Sequence, residues 1–212
     1  MMEKIDPLSL DGIKTYSIKE RHSKVSHRAF AQAWSNGGGF RDFLDRLPDI
    51  LAGRTFKKVV AAWVQARQQG RLVILGMGAH PIKVGLNPIL IDLMRRGLLS
   101  ALAMNGAGII HDAELAMAGM TSEDVDQDLA CGRFGMAQET GKFLNDAIAG
   151  GAAQGLGLGE AVARRLQESS FPFKHLSLLC AAAELDIPVT VHVAVGTDII
   201  HLHSSVDPEA GG

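Results

Sequence analysis

The sequence predicts an α/β fold built on a parallel sheet. Three observations carry that prediction. Three short apolar runs, Leu72–Leu75, Leu98–Met104 and Ile187–Val195, each close on a glycine-bearing loop. Stretches with helical spacing of apolar residues stand between them. The first two runs and the helix joining them span about thirty-five residues, the length of a right-handed βαβ unit, whose ligand sites lie beyond the carboxyl ends of the strands.

Residues 1–36 are polar and basic, with Lys19, Arg21, His22, Lys24, His27 and Arg28 among few apolar side chains, and read as an N-terminal arm. Asn36-Gly37-Gly38-Gly39 breaks the chain, and residues 37–212 read as one α/β dinucleotide-binding-like domain. Phe40–Ile50 is expected as a short helix bounded at Pro48. Thr55–Gln69 has Phe56, Val59, Val60, Trp63, Val64 and Ala66 on one face and Gly70 as its stop, so a helix feeds directly into the first strand. Asn87-Pro88 suits a helix start, and Arg95-Arg96-Gly97 places positive charge and then glycine at its end. Beyond the second strand, Thr121–Asp124 reads as a capped start. Phe134–Ile148, Leu158–Gln167 and Leu176–Leu185 read as helices before the third strand. Glycine-rich Gly150–Glu160 follows no strand and lacks a Lys-Ser/Thr ending, so it reads as a connector rather than a phosphate loop.

Composition sets bounds on function. The chain has 212 residues, 47% hydrophobic and 21% charged, which is ample for a globular core. A net charge of -2 with scattered Lys and Arg offers no basic stripe for nucleic acid and no polybasic membrane patch. Cys131 and Cys180 stand far apart and form no Cys-x-x-Cys motif, so reduced thiols in the cytoplasm are expected. The start MMEKIDPLSL lacks the regions of a signal peptide. Gly97–Ile110, the longest uncharged stretch, falls short of the roughly 20 residues of a membrane span.

The chemistry concentrates at the glycine junctions. Glycine has no Cβ, so backbone N–H groups can approach an anionic ligand closely. A helix start adds unpaired donors and the positive end of its dipole. The first junction carries Gly76, Gly78, His80 and Lys83. The second, Asn105–Asp112 (NGAGIIHD), leads into a helix. Gly76-Met77-Gly78 is no Rossmann fingerprint, because Ala79-His80-Pro81 follows where a third glycine is wanted. A lone Gly-x-Gly is unspecific, whereas two such junctions thirty residues apart point to one binding crevice.

Together the segments GMGAHPIKVGLNP, LLSALAMNGAGIIHDAELAMAG and IPVTVHVAVGTDIIHLH resemble the deoxyhypusine-synthase-like NAD-binding superfamily over about Arg71 to His203. The similarity is greatest to its uncharacterised bacterial branch, and ALAMNGAGIIHDAE is also similar to the NAD-binding domain of archaeal-type ornithine cyclodeaminases. The resemblance implies a Rossmann-like, deoxyhypusine synthase-type fold: a parallel sheet flanked by helices on both faces, NAD lying across the strand ends, and a homo-oligomer, tetramer or dimer. By position, Asn105, Gly106, Ala107 and Gly108 would approach the nicotinamide ribose or the phosphates, and Thr197 and Asp198 would line the same crevice. Gly76, Gly78 and Asp112 complete the candidate cofactor set. The sequence departs from deoxyhypusine synthases in having no late tryptophan-glycine-lysine motif, so deoxyhypusine synthesis itself is not expected. Its end at DPEAGG, just after a strand, reads as a chain stopping short of a last strand and helix.

His80, Lys83 and His111 are the candidate catalytic residues. Histidine titrates near neutral pH and moves protons, and lysine becomes nucleophilic when its pKa is lowered. Lys83 also reads as a solvated charge, and His111 as a first-turn polar residue bonded to a neighbouring loop. His192, His201 and His203, with Asp198 nearby, raise a metal reading. If the third strand continued, His201 and His203 would share a face; His192 also reads as a core or interface histidine. Three function classes follow: an NAD-binding enzyme, oxidoreductase or lyase, acting on an amine or amino-acid-like small molecule; a metal-dependent hydrolase on the histidine cluster; and a non-catalytic nucleotide-binding protein.

Overall fold

The computed structural model describes residues 9–211; the first eight residues of the arm and Gly212 lie outside them. The chain forms two compact units, residues 1–62 and 63–212. The division falls inside a helix rather than at Asn36, so residues 37–62 group with the arm.

In the first unit, none of residues 9–62 is buried. A 3-10 turn, His27–Ala29, precedes helix α1, Phe40–Arg46. Phe43 meets the rings of both Trp34 and Phe40, with centroids 6.4 and 6.1 Å apart. Asp49 N–H donates to Ala29 O at 2.9 Å, and Gln32 N–H to Arg46 O at 3.0 Å. Helix α2, Leu51–Gln68, begins in this unit, and Lys57 Nζ donates to Asp45 O and Leu47 O at 3.0 and 2.9 Å.

The second unit holds a three-stranded parallel sheet in the order β1 (Ile74–Met77), β2 (Ala101–Asn105), β3 (Val189–His192). Leu75 pairs with Leu102, Met104 with Val191, and Asn105 with His192. Because side chains alternate across a strand, Leu75, Met77, Leu102, Met104, Val189 and Val191 share one face, and all of them join the core. Between β1 and β2 lie α3, His80–Lys83, and α4, Asn87–Arg95. Between β2 and β3 run α5 (Gly106–Ala118), α6 (Val125–Ala130), α7 (Gln138–Ala152), α8 (Leu158–Glu168) and α9 (Leu178–Glu184).

Helix α5 is the centre of the unit. Gly106, Gly108, Ile109, Ile110, Asp112, Ala113 and Ala116 are all buried, covering more than one face, because strand, loop and neighbouring helices surround it. Its end is set by Gly119, whose φ of 70° is the left-handed conformation of a helix C-cap. Helix α8 lies so close on β3 that a Cβ on Gly159 would stand 2.2 Å from Val189 O.

The expectation of helices on both faces is corrected. The opposite face carries Ile74, Gly76, Ala101, Ala103, Thr190 and His192. None of these is buried, and Ile74 is 63% exposed. The strands step in one direction, β1 to β2 to β3, and right-handed crossovers of that kind place their helices on a single face. Covering the other face requires a reversal of strand order, which residues 63–211 do not contain. No described helix is long and apolar enough to cross a membrane.

Candidate site at the carboxyl ends of the strands

The register brings the candidate junctions side by side. β1 ends in Met77-Gly78, and a Cβ placed on Gly78 would stand 3.7 Å from Asn105 Nδ2, so the first two junctions touch. Asn105 pairs with His192 at the end of β3. Asn105 is also the N-cap of α5: its backbone is extended, and its Oδ1 accepts from Gly108 N–H at 3.1 Å.

The two glycines of that helix start have different causes. A Cβ on Gly108 would sit 2.7 Å from Met104 Sδ, so this glycine lets α5 press onto β2. A Cβ on Gly106 would sit 2.0 Å from Asp198 Oδ2, so this one is the seat of a carboxylate arriving from the loop after β3. Asp198 Oδ2 is buried and has no hydrogen-bond partner among the described residues. Burial pushes the Asp198 carboxyl up from its ordinary value, against the pull of His201. An acceptor without a donor, set at a helix N-terminus, has capacity for a hydroxyl or ammonium group. Thr197 is exposed, with its hydroxyl donating to Ala194 O at 2.8 Å.

His80 and Lys83 lie on the four-residue α3, where a loop is expected from sequence. Pro81 in its first turn is compatible with the helix, and buried Ile82 anchors it. Both side chains are exposed, and neither has a hydrogen-bond or ion-pair partner among the described residues.

His111 and Asp112 leave this grouping. His111 Nδ1 lies 2.6 Å from Thr121 Oγ1, and Thr121 donates its one hydroxyl proton to Glu114 Oε2 at 2.5 Å. The threonine must therefore accept from His111, which puts a proton on Nδ1. Thr140 donates to the other Glu114 oxygen at 3.2 Å. Burial pushes the Glu114 carboxyl up, but the hydrogen bonds of His111 and Thr121, the His111 charge and Thr140 outweigh it and hold Glu114 below its ordinary value.

Asp112 is a structural anchor. It is 0% exposed and accepts from Ser177 Oγ at 2.5 Å, Leu178 N–H at 2.8 Å, Leu179 N–H at 3.1 Å and Asn87 Nδ2 at 3.1 Å. One carboxylate thus ties α5 to the starts of α4 and α9. With every oxygen lone pair turned to these donors, it has none left for a cofactor.

The histidines at the end of β3 and after it do not converge. His192 meets Thr190 Oγ1 at 3.1 Å, His201 Nδ1 accepts from Gly196 N–H at 3.1 Å, and His203 Nε2 meets Gly135 O at 2.9 Å. Ile199–Leu202 is a 3-10 turn, not a strand, so the shared face expected for His201 and His203 is absent. Among the described residues no three His, Cys, Asp or Glu side chains come together as a metal site.

A cavity of about 870 Å³, lined by α5, α7 and the loop between them, was not foreseen from sequence. Its walls include Glu114, Met117, Met120, Phe143 and Phe171, drawn from segments more than fifty residues apart.

No family model matches the chain, and no curated protein matches it. Among solved structures it is similar to the apo crystal structure of ArgZ, an arginine dihydrolase from the ornithine-ammonia cycle in cyanobacteria. The identity is 20% over 70% of this chain and 20% of that one, with a TM-score of 0.45. The chain thus spans about a fifth of that protein's length. At this identity and score, the activity named for ArgZ is a property of ArgZ alone.

Proposed function

We propose that the chain is an NAD-binding enzyme acting on an amine or amino-acid-like small molecule, by a reaction other than deoxyhypusine synthesis. The observation that supports this reading is the helix start Asn105–Gly108 at the ends of three parallel strands, with the unpartnered Asp198 oxygen seated on Gly106. Backbone N–H groups at a helix N-terminus receive phosphate, and a carboxylate beside them receives a ribose hydroxyl. Gly76 and Gly78 keep the neighbouring strand end free of side chains, and Thr197 borders the loop that carries Asp198.

Bound there, NAD supplies a hydride acceptor for substrate oxidation. The chain's own residues position the substrate and move its proton. His80, exposed beside the crevice, is the first candidate base, and Lys83 is a cation for phosphate or an amine nucleophile toward a carbonyl substrate. His111, its Nδ1 bonded to Thr121, is the second candidate base. The reading places the enzyme in the cytoplasm as a homo-oligomer, with Cys131 and Cys180 free.

The test is turnover. Purified full-length chain is incubated with NAD and a panel of amines and amino acids, and NADH fluorescence is followed. A substrate whose oxidation falls in both His80→Ala and His111→Ala supports the assignment. NAD binding without turnover on any member of the panel gives the non-catalytic nucleotide-binding reading instead.

A further inference from the structure

We infer that the cavity between α5 and α7 is a binding site for a small organic cation, a protonated amine or guanidinium carried on an apolar or aromatic body. At about 870 Å³ it has the size of a pocket that encloses a drug-sized molecule. Its walls and its charges point to the same ligand class. Met117, Met120, Phe143 and Phe171 form an apolar surface, with the two phenylalanine rings 5.1 Å apart and tilted by 57°. Aromatic faces attract cations, and methionine adapts its shape to an irregular apolar partner.

Four carboxylates also line the cavity, Glu114, Glu123, Glu139 and Asp146, against one cation, Lys142. That ammonium is paired with Asp146 at 2.6 Å, which leaves Glu114, Glu123 and Glu139 as the carboxylates in excess. The Glu114 side chain is only 16% exposed, and its oxygens are fixed by Thr121 and Thr140 rather than left to swing. Held below its ordinary pKa, Glu114 is charged at neutral pH. A negative carboxylate flanked by apolar walls acts through a lower dielectric than water and rewards a cation while repelling an anion.

The cavity stands apart from the strand ends. Glu114 lies eight residues beyond Gly106 on α5, about 12 Å of helix rise. A ligand here does not overlap a dinucleotide on Asn105–Gly108, so the inference is independent of the cofactor reading, and failure of either leaves the other standing.

Calorimetric titration of the full-length chain with three cations, tryptamine, phenethylamine and agmatine, tests it, with 3-methylindole as the neutral probe and indole-3-acetate as the anionic one. At least one of the cations binds, tryptamine binds more tightly than 3-methylindole, and indole-3-acetate does not bind. Glu114→Gln, which keeps the side-chain shape, weakens the bound cation about tenfold and leaves 3-methylindole unchanged. If that variant fails to fold, the wild-type chain still decides: cation affinity falls as sodium chloride is raised, and 3-methylindole affinity does not. No binding by any of the three cations, equal binding of indole-3-acetate, or a cation affinity indifferent to both salt and Glu114→Gln overturns the inference.

Discussion

Replacing Asp112 by alanine tests the anchor at the centre of the fold. The substitution leaves Leu178 and Leu179 N–H without their acceptor, and both belong to the first turn of α9, where no intrahelical carbonyl reaches them. Each buried donor stranded in this way costs about 1–3 kcal/mol. Ser177 and Asn87 suffer less, because Ser177 Oγ still accepts from Cys180 N–H and Asn87 Nδ2 still donates to Leu176 O. Against these losses, the variant no longer buries a charge, which leaves a net cost of about 2–4 kcal/mol. The pH dependence has a definite sign. Burial raises the Asp112 carboxyl above its ordinary 3.8, over the opposing hydrogen bonds from Ser177, Leu178, Leu179 and Asn87. A group with a raised folded pKa contributes most below its unfolded value and loses that contribution as pH rises through the folded one. The difference between wild type and Asp112→Ala is therefore larger near pH 4 than at neutral pH. Urea unfolding followed by circular dichroism at both pH values measures it. A cost below about 1 kcal/mol, or one that grows as pH rises, refutes the anchor role.

Gly106→Ala drives a Cβ into the Asp198 carboxyl and costs about 1–3 kcal/mol; Asp198→Ala in the same chain restores most of that loss, a coupling read by a double-mutant cycle. Gly159→Ala costs more than Gly106→Ala in the same urea assay, because the atom met is Val189 O, part of a paired strand, and not a side-chain carboxyl able to turn away. Glu114 contributes stability above its unfolded pKa of about 4.5 and loses it as pH falls through its lower folded value, so Glu114→Gln is less stable than wild type at neutral pH and the gap, read by urea unfolding, closes in acid. Zinc added to chelator-free protein leaves the urea midpoint unchanged, because His192, His201 and His203 hold separate partners; a stabilisation at one equivalent would reinstate the hydrolase reading.

The parallel sheet was legible because each strand lies in an apolar run that leads into a glycine-bearing loop, and the cap at Asn105 was legible because NGAG places a side-chain acceptor before small residues. Strand limits were not. Leu72 is apolar yet 78% exposed, outside the ladder, and Val195 is 68% exposed where the chain has already turned toward Asp198. An apolar residue reports hydrophobicity and not its pairing partner. The alternation Ile200-His201-Leu202-His203 imitates a strand, but the chain coils there to bury Ile200. His203 instead packs its ring over Gly141, a contact between residues sixty apart that no local pattern reveals. Asp112 looked like a ligand-facing residue because it follows the glycine turn. Its direction is set by Ser177, Leu178 and Leu179, again far along the chain. The cavity was hidden for the same reason, since its lining comes from 114–123, 137–146 and Phe171.

The central claim is that Asn105–Gly108 and Asp198 receive NAD. Calorimetric titration of the full-length chain with NAD and NADH, beside an Asn105→Ala, Gly106→Val double variant and Asp198→Asn, tests it most directly. The account predicts that the wild type binds, that the double variant, folded by circular dichroism, does not, and that Asp198→Asn binds more weakly. A folded wild type that binds neither nucleotide, or variants that bind as tightly as the wild type, would contradict it.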